Sequence, residues 1–294
     1  MPELPEVETT VRDLKTKVLK RTFVDVWTDF KRIVKKPKNF ERFKKEIKGK
    51  KIKRIWRRGK NILFGLSKNK TLLIHLKLTG HLLLGKWRKE KGDWKYLLSG
   101  ALKEDPMNRF LHLIFWINGN FPQMIALSDL RKFAKVELWD SDNLKKSSVF
   151  KKLGPEPLKK SFNFKKFKEI LSGKKGKIKQ VLMNQEVIAG IGNIYSDEIL
   201  WEAKIHPLKE IPSFSEKELK RVYLAIKKIL KKAIKAKGES FSDFRRPSGE
   251  KGKFDPLIKV YRKTGKKCIC CRSVIKRIKL GGRSAHFCPK CQKI

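Results

Sequence analysis

Val7, Val11, Leu14 and Val18 recur near helical spacing, which predicts an amphipathic helix over about residues 4–19. The period then shortens. Alternating or wholly apolar runs at 22–27, 52–56, 61–64, 71–75, 110–116 and 135–139 predict strands, most of them separated by polar, glycine-containing turns such as Asn118-Gly119-Asn120. A second helix is predicted over 40–47. Between 140 and 162, Asp140-Ser141-Asp142, a lysine-rich stretch and Leu153-Gly154-Pro155-Glu156-Pro157-Leu158 break both periods. Beyond it the pattern is helical at 164–171, 178–184, 194–203 and 216–236. We find no internal repeat. The fold class read from this is α+β, with a β-sandwich flanked by helices over 1–145, a helical domain over 146–255 and a C-terminal ribbon over 256–294.

Composition narrows the partners. Lys and Arg total 74 against 29 acids, a formal net charge of +45, and 40% of the 294 residues are hydrophobic. That is enough apolar surface for real cores, and the excess charge points to a polyanion, nucleic acid first; a lysine-rich proteome or thermophile surface is the alternative. No apolar run approaches the roughly 20 residues needed to span a membrane, so no membrane partner is expected. All five Cys fall between 268 and 291. A disulfide scaffold would spread them, so a local metal site in a reducing compartment fits better.

Cys268-x2-Cys271-x16-Cys288-x2-Cys291 has the spacing of a four-thiolate zinc site, with Cys270 left as a bystander. Four protein ligands leave no open position for water, so one Zn2+ is expected to be structural. Other stretches read two ways from their residues alone. Met1-Pro2-Glu3-Leu4-Pro5-Glu6-Val7-Glu8 is acidic in a basic chain and lacks a signal-peptide pattern. It is either an ordinary helix start with two prolines or a nucleophile. Removal of Met1 is expected and would expose a secondary amine of pKa roughly 8, able to form an imine, with Glu3 beside it to move a proton. Arg57-Arg58-Gly59-Lys60 is a solvated basic turn or a phosphate cradle. The two glycines of Gly190-Ile191-Gly192-Asn193 precede a helix start, which is either a corner or an anion site.

Four stretches in chain order resemble the formamidopyrimidine-DNA glycosylases, the bacterial 8-oxoguanine repair family, and together they span nearly the whole chain. They are the N-terminal Pro-Glu-Leu-Pro-Glu-Val-Glu-Thr, the Asp129-Leu130-Arg131-Lys132-Phe133 motif, the segment around Asn193, and the C-terminal cysteine block with Gly282-Arg283-Ser284. The resemblance implies a helix–two-turn–helix in the middle domain and a zinc finger at the C-terminus. Pro2 is implied to be the nucleophile and Glu3 its proton shuttle, with Lys60 beside the damaged nucleotide and Arg283 on the flanking phosphates. His75 and Asn193 would hold phosphate. Leu78, where the family has Met, would fill the gap left by the extruded base; Lys77 stands where Gly is usual. Arg131 would face the opposite base and Phe133 wedge beside it; Ala134 replaces a usual Gly. Ser240 lies in a loop, 238–254, that in the family closes over the extruded base.

The implied activity is a bifunctional glycosylase and AP lyase excising oxidised purines from double-stranded DNA, acting as a monomer in a bacterial cytoplasm. Two rivals stand beside it. An endonuclease VIII-type enzyme would prefer oxidised pyrimidines, but that branch carries Gly at the position of Leu4. A non-catalytic zinc-containing DNA-binding protein would need neither Pro2 nor Glu3.

Overall fold

The computed structural model describes all residues except 122 and 241–243. The chain divides into two compact units, Met1–Lys151 with Ala236–Lys253, and Lys152–Lys235 with Phe254–Ile294.

The first unit opens with α1 (Leu4–Val18), β1 (Phe23–Thr28), β2 (Val34–Lys36) and α2 (Phe40–Ile47). Then follow β3 (Ile52–Arg58), β4 (Asn61–Leu66), β5 (Lys70–His75), β6 (Gly80–Gly85), β7 (Trp87–Glu90), β8 (Asp93–Tyr96), β9 (Leu111–Ile117), β10 (Met124–Asp129) and β11 (Lys135–Asp140). Short helices α3 (Ser141–Lys146) and α4 (Ser148–Lys151) close it. The larger strands form two sheets, β1-β9-β10-β6 and β2-β11-β5-β4-β3, antiparallel except for β2 against β11.

One core lies between the sheets. Phe23, Phe115, Ile125 and Leu82 come from the first sheet and Ile55, Phe64, Ile74 and Val136 from the second. The predicted apolar face of α1 joins it through Val7, Val11, Leu14 and Val18, and α2 through Phe40, Phe43 and Ile47. The strands β4, β5, β6, β9 and β10 are buried on both faces. Behind β9, β10 and β6, Ile114, Ala126 and Leu83 pack under Trp87, Leu102 and the β7–β8 aromatics. Behind β4 and β5, Leu63 and Leu73 pack under Leu144, Val149 and Phe150 of α3 and α4. This double burial is why Leu72-Leu73-Ile74 and Leu113-Ile114-Phe115 read as continuous runs instead of alternating ones.

The second unit contains α5 (Phe164–Leu171), α6 (Ile178–Met183), α7 (Asn193–Ala203), α8 (Glu216–Lys235) and a hairpin of β12 (Lys276–Leu280) with β13 (Arg283–Phe287). Asn163 caps α5 by accepting the Lys166 N–H at 2.8 Å. No described helix is long and apolar enough to cross a membrane.

Candidate functional site

The N-terminal residues are held from inside. Pro5 sits in the first turn of α1, where no backbone N–H is missed. Glu3 and Glu6 form a capping box, and the Glu3 N–H donates to Glu6 Oε2 at 2.8 Å. Both carboxylates are 1% exposed, and Pro2 is buried. Glu6 Oε1 accepts the N–H of Glu239 at 2.9 Å, so the same carboxylate also reaches a residue 233 positions away. Burial alone would raise the carboxyl of Glu8, but hydrogen bonds and charge from Arg12 and Arg57 outweigh it and hold the group below the usual carboxylate range.

Arg57 then carries the fixation onward. Its Nε donates to Glu8 at 3.1 Å and its Nη1 to Gly59 O at 2.9 Å, shaping the β3–β4 turn where Gly59 has φ +57. Lys60 leaves this turn buried. On the neighbouring strand His75 pairs with Asn61 on one side and Lys135 on the other. Burial pushes the His75 imidazole down to about 3, helped by Lys77, Lys60 and Lys135. Its Nδ1 accepts the Lys77 N–H at 3.0 Å, so the neutral ring carries its proton on Nε2 and offers a donor there.

A further buried carboxylate, Asp129, organises the turn beyond His75 together with the β10–β11 turn. Thr79 Oγ1 donates to Asp129 Oδ1, the Arg131 N–H reaches both of those oxygens at 3.1 and 3.3 Å, and the Ala134 N–H donates to Asp129 Oδ2 at 2.7 Å. Gly80 permits the approach, because a Cβ there would lie 2.5 Å from Leu76 O. The result places half-buried Leu78 on the turn next to one that exposes Arg131 and Phe133. The Arg131 guanidinium lies 4.8 Å from the Phe133 ring centroid, and Phe133 is 50% exposed. Ser240 is buried at the root of its loop, where Oγ donates to Phe244 O at 2.9 Å and accepts the Gly252 N–H at 2.7 Å. The middle of that loop, 241–243, lies outside the described residues.

The second unit holds the other candidates. The Gln185 amide staples the turn before α7, donating to Met183 O and Ile191 O at 2.7 Å and accepting the Gly190 N–H at 2.8 Å. Asn193 is the first residue of α7, and its Oδ1 is buried with no hydrogen-bond partner. Tyr195 is fully buried against Phe254. Arg283 is exposed at the start of β13, just past Gly281 and Gly282 at φ +55 and +71. Its strand is anchored to α6 and α7: Lys179 Nζ pairs with Asp197 and donates to Ser284 O at 2.9 Å, and Asp197 Oδ2 meets the His286 backbone N–H and ring Nδ1 at 3.0 and 2.9 Å. Glu198 accepts the N–H groups of Lys259, Val260 and Tyr261 at 2.8–3.0 Å; burial keeps its carboxyl above the usual range despite those bonds.

Cys268, Cys271, Cys288 and Cys291 converge with all Sγ atoms within 4.8 Å of one another, and Cys270 lies outside the group on the surface. Tetrahedral zinc with Zn–S bonds of about 2.3 Å holds its sulfurs about 3.8 Å apart, so four soft thiolates at these separations suit one Zn2+ with no position left open.

Three family models match along the chain: the formamidopyrimidine-DNA glycosylase N-terminal domain over 1–136, its H2TH domain over 153–245, and the zinc finger found in FPG and IleRS over 265–294. The formamidopyrimidine-DNA glycosylases of Lactococcus lactis and Streptococcus mutans are 37% and 36% identical, each over 100% of both chains. The chain belongs to the formamidopyrimidine-DNA glycosylase family. It is thus a zinc-finger DNA-repair glycosylase. Its backbone is similar to that of a point mutant of the Lactococcus lactis enzyme bound to Fapy-dG DNA (TM-score 0.86, 36% identity, 100% of each chain). The complex of that enzyme with abasic-site DNA gives a TM-score of 0.85 at 36% identity, over 99% of this chain and 100% of that one.

In this glycosylase the described residues bring His75 and Lys135 onto adjacent strands, with Lys60 in the turn leading into the next, and Leu78, Arg131 and Phe133 onto turns sharing Asp129. The residues that hold these elements in place drew no reading from sequence: Asp129 as an anchor, Gln185, Lys179, Asp197 and the long-range half of the Glu6 bonding. The available signal was chemical type alone, a carboxylate or amide inside an otherwise apolar stretch.

Proposed function

We propose that this glycosylase is bifunctional, releasing oxidised purines from duplex DNA and then cleaving the strand as an AP lyase. The observation that carries the reading is the buried Pro2-Glu3 pair, locked at the head of α1 by the capping box and Glu6. Once Met1 is removed, the Pro2 nitrogen lone pair attacks C1′ of the damaged nucleoside. The bond from C1′ to the base nitrogen breaks, the base leaves with that electron pair and takes up a proton from solvent, and the Pro2 nitrogen sheds its own proton to the Glu3 carboxylate. Glu3 protonates the sugar ring oxygen, the ring opens, and the nitrogen–carbon bond becomes an iminium. That cation acidifies C2′–H, and successive eliminations expel the 3′ and then the 5′ phosphate.

Lys60 and the neutral Nε2–H of His75 serve the phosphates from the N-terminal unit, while Asn193 and Arg283 serve them from the other. Leu78 fills the vacated stack, and Arg131 with Phe133 reads and wedges the opposite strand. Zinc bound by the four cysteines supplies folding energy to the ribbon carrying Arg283 and takes no part in the chemistry. The protein is taken to act as a monomer in a bacterial cytoplasm.

Borohydride tests this directly, since it reduces the iminium to a stable protein–DNA adduct. The adduct is expected on the first peptide. A variant that retains Met1, or carries an N-terminal tag, holds an amide at Pro2 and should neither excise nor trap, while still binding DNA. Full-rate trapping by the blocked protein would move the nucleophile to a lysine, Lys60 first. A second substrate class belongs in the same assay, because one similar solved structure is the Lactococcus lactis enzyme with oxidised-pyrimidine DNA. Faster release of an oxidised pyrimidine than of 8-oxoguanine would overturn the purine assignment.

A further inference from the structure

Residues 236–253 follow α8 in the chain yet belong to the N-terminal unit. Their neck is tight. The Lys253 N–H donates to Ala236 O at 2.7 Å, and a Cβ on Gly252 would lie 2.1 Å from Gly238 O. On the outgoing limb, Gly238 has φ +83 and its Cβ would meet Glu6 Oε1 at 2.8 Å, so this position is closed to larger residues both by conformation and by space. The next N–H, of Glu239, is the one bound by Glu6 Oε1.

The returning limb is strapped down separately. Arg246 grips Asp13 of α1 through two nitrogens, Nε to Oδ2 at 2.9 Å and Nη2 to Oδ1 at 3.2 Å, and its Nη1 pairs with Glu250. Arg245 pairs with buried Asp105 at 3.3 Å, Pro247 O accepts the Leu84 N–H at 2.7 Å, and Gly249 lies so near Leu102 that a Cβ would be 2.6 Å from its Cγ. One helix, α1, therefore supports three things: the Pro2-Glu3 head, the outgoing limb through Glu6, and the returning limb through Asp13.

We propose that Glu6 and the Asp13–Arg246 pair are positioning residues that fix both limbs of this segment against the head of α1 and thereby seat the base for release. A single carboxylate separates Glu3 N from Glu239 N, so a base presented to Pro2 and Glu3 borders the 238–240 root. Once the base has gone, there is nothing left for that root to seat. The clamp then matters for base release and not for strand cleavage at a site already abasic. This rests on the bifunctional reading proposed above.

The test compares Asp13→Asn with Asp13→Glu in single turnover, on an 8-oxoguanine duplex and on the same duplex carrying a preformed abasic site. Misplacement by a fraction of an ångström supports an expected loss of about tenfold in base release for Asp13→Asn, with abasic cleavage within about twofold of wild type. Asp13→Glu keeps the charge and should recover most of the loss. Arg246→Lys, which keeps the charge but loses the two-pronged grip, should show the same split to a smaller degree. Equal loss on both substrates, or none on either, would overturn the clamp. Borohydride trapping on wild type reports the underlying reading independently: wild type that does not trap sinks that reading, whereas trapping wild type with an unsplit Asp13→Asn sinks only the clamp.

Discussion

The two units solve one problem with different materials. Each carries exposed side chains on a turn or at the start of a strand, and each ties that element down with a buried carboxylate. In the N-terminal unit, Asp129 holds the turn bearing Arg131 and Phe133; in the second, Asp197 holds the strand bearing Arg283. Behind Asp129 lies the extended core between two sheets. Behind β13 lies a cluster whose buried members are Val260, Cys268, Ile275 and Cys288, two of them metal ligands. So little apolar surface cannot offset the entropy of ordering the ribbon, and the metal must supply the difference. In a chain of net charge +45, scarce acids are used as internal connectors.

Stripping zinc breaks the comparison with the largest expected effect. Cys288→Ser, or chelation, should abolish the ribbon's hydrogen-exchange protection and lower DNA affinity by an order of magnitude or more, while strands β3–β6 keep theirs. A metal-free protein with a protected ribbon and full affinity would mean that the apolar cluster suffices.

Asp197→Asn comes next. It removes the charge facing fully buried Lys179, and breaking a buried pair costs about 3–5 kcal/mol. Calorimetry should show that loss in the second unit, and zinc content should stay near one per chain. Asp129 accepts from a hydroxyl and two backbone N–H groups, so Asp129→Asn strands no buried charge, and a smaller loss, about 1–2 kcal/mol, is expected in the first unit. Comparable losses would show that the sandwich core gives the Asp129 turn no extra support.

Why much of this architecture was legible, and part of it not, follows from range. Local periodicity located α1, α2, β3, β5, β9 and the four helices of the second unit to within a residue or two. The strand β6 was missed because Gly80-His81-Leu82-Leu83-Leu84-Gly85 is apolar on both faces and bracketed by glycines, with no alternation to betray it. The β7–β8 hairpin did alternate, Trp87, Trp94 and Tyr96 against charged residues, but in strands of four residues each. Within the site, local motifs drew attention to Lys60, His75, Arg131 and Arg283. The partners of Glu6 and Asp13 lie 233 positions away, and a lone sequence carries no pairing information over that distance.

Arg283→Ala sharpens the comparison without unfolding anything, because the side chain is exposed. Removing a cation that neutralises one phosphate should reduce the slope of log affinity against log salt by about one unit. An unchanged slope would remove Arg283 from the interface and leave Asn193 as the second unit's candidate.

The smallest expected effect concerns protons on His75. The ring is neutral in the folded protein down to about 3, against 6.5 for an ordinary histidine. Between those values the unfolded chain binds a proton that the folded chain refuses, so stability contributed by the neutral ring is complete above pH 6.5 and is lost as pH falls toward 3. His75→Gln removes that proton from the balance while keeping a neutral donor. The fall in melting temperature from about pH 7 to about pH 5 should therefore be shallower in His75→Gln than in wild type. If both proteins lose the same amount, the His75 ring takes up its proton in the folded state, and the neutral Nε2–H donor assigned to it would be a charged one. His75 would then be a cation like Arg283, and the contrast between these two side chains would disappear.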